Sequence, residues 1–385
     1  MDAAPSTHPD LEPAASLPAT GYRSPLLDLP GAVAAEGPDA GVAWHYGDPS
    51  REQRHLAAGR AVVDLSHRGV VRVGGPDRLT WLHSITTQHL SALAPRVSTE
   101  VLVLSPHGHV EHALHLLDDG EATWITLEPG TVGQLVEWLR SMQFMLRVQV
   151  DDLTTQWAVI GQPTRSTAPL PRLGADGADG ADGADGADRA DGWPPVWVDP
   201  WPHLGVRSAS YASVGDGEHP GRLRPWREVL VPRARLTTVF EQLRAAGDGP
   251  AGTWAAEALR VAAWRPRLGF ETDHRTIPHE LDWLRTAVHL EKGCYRGQET
   301  IARVHNLGRP PRRLVMLHLD GSRHALPPRG TPVLLGGRTV GQVTTSARHH
   351  ELGPVALAVV KRSTPADAEL DAGGVQAAQE IVVAP

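Results

Sequence analysis

Cys294 is the only cysteine in 385 residues, and this limits what can hold the chain together. An intrachain disulfide and a multi-cysteine zinc or iron–sulfur site are both excluded. The fold must rest on buried apolar surface, for which a hydrophobic content of 41% is sufficient. At this length two or three cores are expected rather than one.

The cysteine lies in the stretch Lys292-Gly293-Cys294-Tyr295-Arg296-Gly297-Gln298-Glu299. A cation stands two positions away on each side, and Gly297 is placed to open a helix from Gln298 to about Val304. Positive charge and a helix N-terminus both favour thiolate, which predicts a lowered thiol pKa. The residues alone leave three roles open for Cys294: a redox-active or transiently disulfide-bonded thiol, a ligand to a metal that a partner supplies, or an inert packed side chain. An acyl-enzyme mechanism is disfavoured, because the motif holds no adjacent histidine and acid. Glu299 is either an ordinary first-turn carboxylate or a partner for Lys292 or Arg303. Tyr295 and Gln298 either pack locally or contact a ligand.

Acidic residues outnumber basic ones 44 to 37, for a net charge of −7. This argues against a general nucleic-acid binder. Met1 to Leu17 has no positive start and no long apolar run, and no stretch of about 18 apolar residues occurs. A soluble cytoplasmic protein is expected. The 12 tryptophans suit core packing or the lining of a ligand cavity. His107 and His109 would share one face of a strand, as a two-histidine metal pair or as a polar strand face. We assign no metal site. Arg309, Arg312 and Arg313 form a small basic cluster, either a solvated linker or an anion contact.

Periodicity changes at Arg309-Pro310-Pro311. Before it, strands alternate with helices, as in Val101 to Leu104 and Val110 to Leu117 around a Ser-Pro-His-Gly turn. Val132, Leu135, Val136, Leu139 and Met142 then fall on one helical face. Ala287 to Leu290 reads as a strand. After the linker the pattern is all-β, with Gly336-Gly337 as a two-residue hairpin turn. The reading is α+β with antiparallel sheets. Residues 1–20 form a tail, 21–308 form two intertwined α+β lobes, and 309–385 form a β-barrel. Residues 164–195, with the Ala-Asp-Gly triplets of Ala175 to Gly192, read as a flexible insertion.

The octapeptide K-G-C-Y-x-G-Q-E resembles the signature of the YgfZ-type folate-binding proteins, relatives of the glycine-cleavage T-protein, an aminomethyltransferase. Asp64-Leu65-Ser66-His67-Arg68-Gly69 resembles the D-x-S-H-x-G turn of T-protein-like chains. Gly341-Gln342-Val343-Thr344-Thr345-Ser346 is similar to a strand of their C-terminal barrel. The resemblance implies three lobes, two α+β and one barrel, around a channel that holds tetrahydrofolate. It also implies support of iron–sulfur cluster assembly or repair, including for tRNA-modifying iron–sulfur enzymes, with Cys294 as the working thiol. Direct tRNA contact is not expected. In the T-protein pattern G-G-x-x-D-D, His112 and Ala113 stand where the aspartates would be. The glutamate of L-R-x-E-x-G falls on Ala262. Aminomethyl transfer from glycine is therefore disfavoured, although a folate-dependent one-carbon transferase and an interaction protein with a vestigial cavity stay as alternatives. Lys292, Gly293, Tyr295, Gly297, Gln298 and Glu299 accompany Cys294 as the signature. A pterin needs a carboxylate or amide for its paired N–H groups, a role open to Glu299. Asp273, His279, Glu280 and Arg303 are the further candidate folate contacts.

Overall fold

The structure, a computed structural model, describes residues 21–173, 192–323 and 325–384. The expected tail at residues 1–20 and nearly all of the Ala-Asp-Gly run fall outside the described residues. The chain leaves and re-enters at one place, since the Leu173 amide donates to the Gly192 carbonyl at 2.7 Å.

The elements, in chain order, are β1 (Val33–Ala34), β2 (Ala43–His45), α1 (Pro49–Ala57), β3 (Ala61–Asp64), β4 (Gly69–Gly74), α2 (Arg78–Ile85), β5 (Ser98–Leu104), β6 (Val110–Asp118), β7 (Ala122–Leu127), α3 (Val132–Ser141), β8 (Gln149–Asp152) and β9 (Trp157–Pro163). Then come β10 (Val196–Val198), β11 (Trp226–Pro232), α4 (Leu236–Ala245), β12 (Gly249–Ala251), α5 (Thr253–Ala262), α6 (Leu284–Ala287) and α7 (Gln298–Leu307). The last region holds β13 (Arg312–Leu319), β14 (Pro332–Leu335), β15 (Arg338–His349), β16 (Gly353–Lys361), β17 (Leu370–Ala372) and β18 (Gln376–Ile381).

Apart from the two-stranded ribbon β1-β2, the strands form three bodies. The first sheet runs β10-β11-β9-β3-β12, the second β5-β6-β7-β4-β8, and β13-β16-β15-β14-β17-β18 close into a barrel. All pairings in these bodies are antiparallel except β12 on β3. The fold is therefore α+β with an antiparallel bias, as the alternation of patterns implies. Gly336 and Gly337 both take positive φ, 55° and 78°, at the β14–β15 turn. Only such backbone matches the twist of a two-residue hairpin.

Helix α3 buries Val132, Leu135, Val136 and Leu139. Met142, expected on the same face, caps the helix instead and is 41% exposed. The strand expected at Ala287 to Leu290 is not formed: α6 ends at Ala287 and irregular chain follows. That short apolar run is consumed by burial, with Ala287 and Val288 fully covered, and its next amides donate to irregular chain, His289 to the Thr87 carbonyl and Leu290 to that of Arg207. The core of Ala287 and Val288 is the one in which the three bodies meet. It joins Leu102 and Val110 of the second lobe, Ala258 and Val261 of α5, and Leu314, Met316 and Leu357 of the barrel. Trp201, Trp264, Trp283 and Tyr295 fill the space between them.

Candidate functional site

The signature loop runs from α6 to α7 over this shared core. Tyr295 points inward and is 8% exposed, and burial raises its hydroxyl pKa well above normal. Lys292 also points inward. Its ammonium donates to the carbonyls of His83, Thr86 (2.6 Å) and Gln88 (3.2 Å). It lies 5.0 Å from the Tyr295 ring centre. Those carbonyls close the end of α2, so the lysine binds the loop to the second lobe. Burial lowers its pKa to about 8. Gln298 donates from Nε2 to the Lys292 carbonyl at 3.4 Å.

Gly297 adopts φ 81° as the residue before α7. A Cβ there would lie 2.5 Å from the Ser105 carbonyl oxygen, and a Cβ on Gly108 would lie 2.7 Å from Cβ of Thr300. The β5–β6 turn thus fits beneath the start of α7 only because both residues are glycine. Beside this contact Arg296 pairs with Glu111 at 3.0 Å.

Cys294 is exposed, as are Gly293 and Glu299. The cations that flank Cys294 in sequence are occupied elsewhere, Lys292 by carbonyls and Arg296 by Glu111. Glu299 therefore does not pair with Lys292.

The further candidates lie below α7. Asp273 and Glu280 share one guanidinium, with Arg312 at 2.6 Å from Asp273 and 2.7 Å from Glu280. Burial acts to raise the Asp273 pKa, but the hydrogen bonds and charge of Arg312 hold it well below the usual carboxylate range. This fork fastens the 273–280 segment to the first barrel strand. His279 is fully buried, edge-on to Tyr211 at 5.2 Å. Burial lowers its pKa to about 4. Arg303 is exposed on α7. His107 and His109 stand in the β5–β6 turn rather than on a strand, with ring centres 6.1 Å apart. Among the described residues no group of three or more His, Cys, Asp or Glu is placed to hold a metal.

A second cluster surrounds a central cavity between β6, β11 and the chain after α5. Arg267 binds Asp39 at 2.5 Å and Glu128 at 2.8 Å. Arg265 binds Glu100 at 2.7 Å, and Arg260 binds Glu271 at 2.9 Å. Arg68 pairs with Glu228, which also accepts from Thr126 at 2.6 Å and contacts His115 at 3.1 Å. Burial acts to raise the Glu228 pKa, but Arg68 and His115 outweigh it and hold the carboxyl ionised. His115 stacks flat on Trp197, with centres 3.7 Å apart. Trp226 and Trp283 complete the aromatic lining, and Ala113 is on the wall. Next to it His112 is buried with Nδ1 unpartnered, and burial lowers its pKa to about 4.

Each carboxylate on the wall is neutralised by arginine, so the cavity holds no free carboxylate. What it does hold is spare donors: Nε of Arg68, Nε of Arg224 and Nη1 of Arg265 are buried without partners. Indole walls and guanidinium donors suit the flat face and the acceptor atoms of a pterin, whereas its paired N–H groups meet only carboxylates already shared with arginine, Glu128, Asp199 and Glu228. The open volume is only about 40 Å³, room for a water or two, so a ring must displace side chains to enter. Arg224 is the one held least firmly. It touches Asp199 at 3.3 Å and the Trp226 face at 4.4 Å, and burial lowers its pKa to about 10.

Of this cluster, Arg68, His112 and Ala113 fall in motifs of the sequence, none of them as part of a cavity. The signal available for the others was weak: Arg265-Pro266-Arg267 places two arginines just after a helix rich in alanine.

Residues 312–385 match the glycine cleavage T-protein C-terminal barrel domain. The chain is 28% identical over 295 residues to "Putative transferase At1g60990, chloroplastic" of Arabidopsis thaliana, covering 74% of this chain and 62% of that protein. This chain therefore spans less than two thirds of that relative. It is 26% identical over 325 residues to an aminomethyltransferase of Parasynechococcus marenigrum, covering 80% and 82%. It is 24% identical over 354 residues to the aminomethyltransferase of Bacillus subtilis, covering 89% and 91%. Its fold is similar to the crystal structure of the glycine cleavage system aminomethyltransferase T from Bartonella henselae, with a TM-score of 0.70 at 19% identity over 94% of this chain and 95% of that one. No described helix is long and apolar enough to cross a membrane. The chain is a relative of the glycine-cleavage T-proteins, built on their fold and ending in their barrel.

Proposed function

We propose that this protein binds tetrahydrofolate in the central cavity and supports iron–sulfur enzymes, including tRNA-modifying ones, through Cys294. The observation that carries this reading is the separation of the two chemistries. The exposed thiol is not part of the cavity wall, and the cavity has no free carboxylate. A folate-binding site without a free carboxylate suits retention of the ligand, and a thiol on the surface suits work on a partner protein. Trp197, Trp226 and Trp283 would face the pterin ring, and Arg68 and Arg265 would donate to its acceptors. Arg224 would swing aside to admit it. Bound tetrahydrofolate would supply a one-carbon acceptor.

The rival reading is folate-dependent aminomethyl or one-carbon transfer, favoured by the aminomethyltransferase names of several relatives. Against it stand Ala113 and the buried His112, where an aspartate pair would be needed.

Two measurements test the proposal. Anaerobic calorimetric titration with tetrahydrofolate is expected to give saturable binding near one to one. Cys294→Ala is expected to keep that binding and to lower iron–sulfur enzyme activity in the cell. Normal iron–sulfur activity with the alanine variant would sink the role of the thiol. Formation of methylene-tetrahydrofolate from an amine donor would put the transferase in its place.

A further inference from the structure

A cleft of about 900 Å³ opens along the outer side of α7, in the size range of a ligand site. Its walls include His107 and His109 of the β5–β6 turn, Arg275, and Arg303, Val304 and Leu307 of α7. No carboxylate lines it. Asp273 and Glu280 are engaged by Arg312 and Glu111 by Arg296, and Glu299, one turn before Arg303 on α7, makes no ion pair with it. Arg275 and Arg303 are exposed, and among the described residues their guanidinium groups pair with no carboxylate. Beside them Leu307 is 86% exposed, an uncovered aliphatic side chain at the end of a helix.

The cleft thus combines unpaired positive charge with apolar surface, in a chain whose net charge is −7. A ligand that answers both features carries carboxylates next to aliphatic groups. An inorganic anion would satisfy the arginines and leave Val304 and Leu307 bare. A single-stranded nucleic acid is held by aromatic platforms; this cleft offers no Phe, Tyr or Trp, and its two imidazoles leave Val304 and Leu307 unmatched. We infer that the cleft docks an acidic peptide segment of a partner protein, with carboxylates on Arg275 and Arg303 and an aliphatic side chain over Val304 and Leu307. This is recognition of an acidic motif by arginine with an apolar anchor.

The position of the cleft links it to the thiol. Gly108 lies between His107 and His109 and packs against Gly297. Cys294 is three residues from Gly297, a chain length of at most roughly 11 Å. A peptide held in the cleft would therefore bring its protein beside Cys294. That consequence rests on the function proposed above, whereas the docking itself does not.

The test is fluorescence anisotropy on the full-length chain. The probe is a fluorescein-labelled peptide of alternating Glu and Leu, with a Lys–Leu peptide and a labelled oligouridylate as controls. The Glu–Leu peptide is expected to bind saturably, to weaken as salt is added, and to outbind both controls. Joint Arg275→Glu and Arg303→Glu substitution is expected to weaken it about tenfold or more. Both side chains are exposed, so folding is preserved, and unchanged thermal melting checks this. Leu307→Asp is expected to weaken the peptide as well. Absence of binding, or equal binding by the double variant, overturns the inference. Tighter binding of the oligouridylate, lost in the double variant, would reassign the cleft to nucleic acid. Tetrahydrofolate titration of Arg275→Glu alone, a residue outside the candidate folate contacts, should match the wild type, so failure of this inference and failure of the folate reading are told apart.

Discussion

The central cavity and the outer cleft are both lined by arginines, in opposite settings. In the cavity Arg260, Arg265 and Arg267 are nearly covered, and each lies within hydrogen-bond reach of one or more carboxylates. In the cleft Arg275 and Arg303 stand in solvent without a counter-ion. Desolvation makes the difference. A buried charge costs several kcal/mol unless it is paired, so the inner arginines are committed to holding the lobes together. An exposed guanidinium has almost no such cost and is free to meet something else. The same residue type is structural in one place and available in the other.

The largest effect that would break this comparison lies at Arg267. Its replacement by Ala leaves buried Asp39 with His67 alone and Glu128 with Arg68 at 3.5 Å, and is expected to cost about 3–5 kcal/mol. Arg303→Ala should stay within about 0.5 kcal/mol. Urea unfolding of the two variants reads both numbers, and similar losses would remove the distinction. Lys292→Met comes next. It leaves the carbonyls of His83, Thr86 and Gln88 without their donor, at a cost of about 1–3 kcal/mol. Hydrogen exchange should then rise first where the signature loop meets α2. The smallest effect is the acid response of the Asp273–Arg312–Glu280 fork. The Asp273 carboxyl is held below its unfolded value, so its stabilisation is complete above about pH 4. It is lost as pH falls through the depressed value. Arg312→Ala should flatten this part of the stability–pH curve, and a curve of unchanged shape would show that the fork does not act this way.

Arg224 tests the cavity from the other direction. Arg224→Ala removes the least firmly held wall residue and is expected to cost about 1 kcal/mol of stability. If it is the gate, the variant should bind tetrahydrofolate no more weakly than the wild type. A loss of binding would make it a ligand contact instead.

The sequence carried some of these features and hid others for definable reasons. The barrel was legible from Gly336-Gly337 and from alternation, both of which are local signals. The start of α7 was legible because Gly297 and the helical pattern after it are adjacent. At Ala287 to Leu290 a short apolar run suits a strand and a buried coil equally, and only the packing of three lobes decided it. The inner ion pairs were invisible for another reason. Arg267 and Asp39 are 228 residues apart, and no spacing rule reaches that far. Arg312 looked like part of a basic linker cluster until the fold brought Asp273 and Glu280 to it. The cysteine motif was visible as letters, but its inward lysine and outward thiol were not.

The parallel pairing of β12 with β3 bears on how the chain is made. The second lobe uses only residues 69–152 and is complete once β8 has emerged. The first lobe starts earlier, at β3, yet cannot close its sheet until Ala251 arrives. At ordinary synthesis rates the ~100 residues between these points take roughly 5–20 s. For that interval β3, whose four residues are all buried in the finished protein, must wait without its edge partner. Nascent chains stalled after Asp152 should therefore carry a folded second lobe beside a sticky, unfinished first one, which makes β3 a natural recognition point for a chaperone.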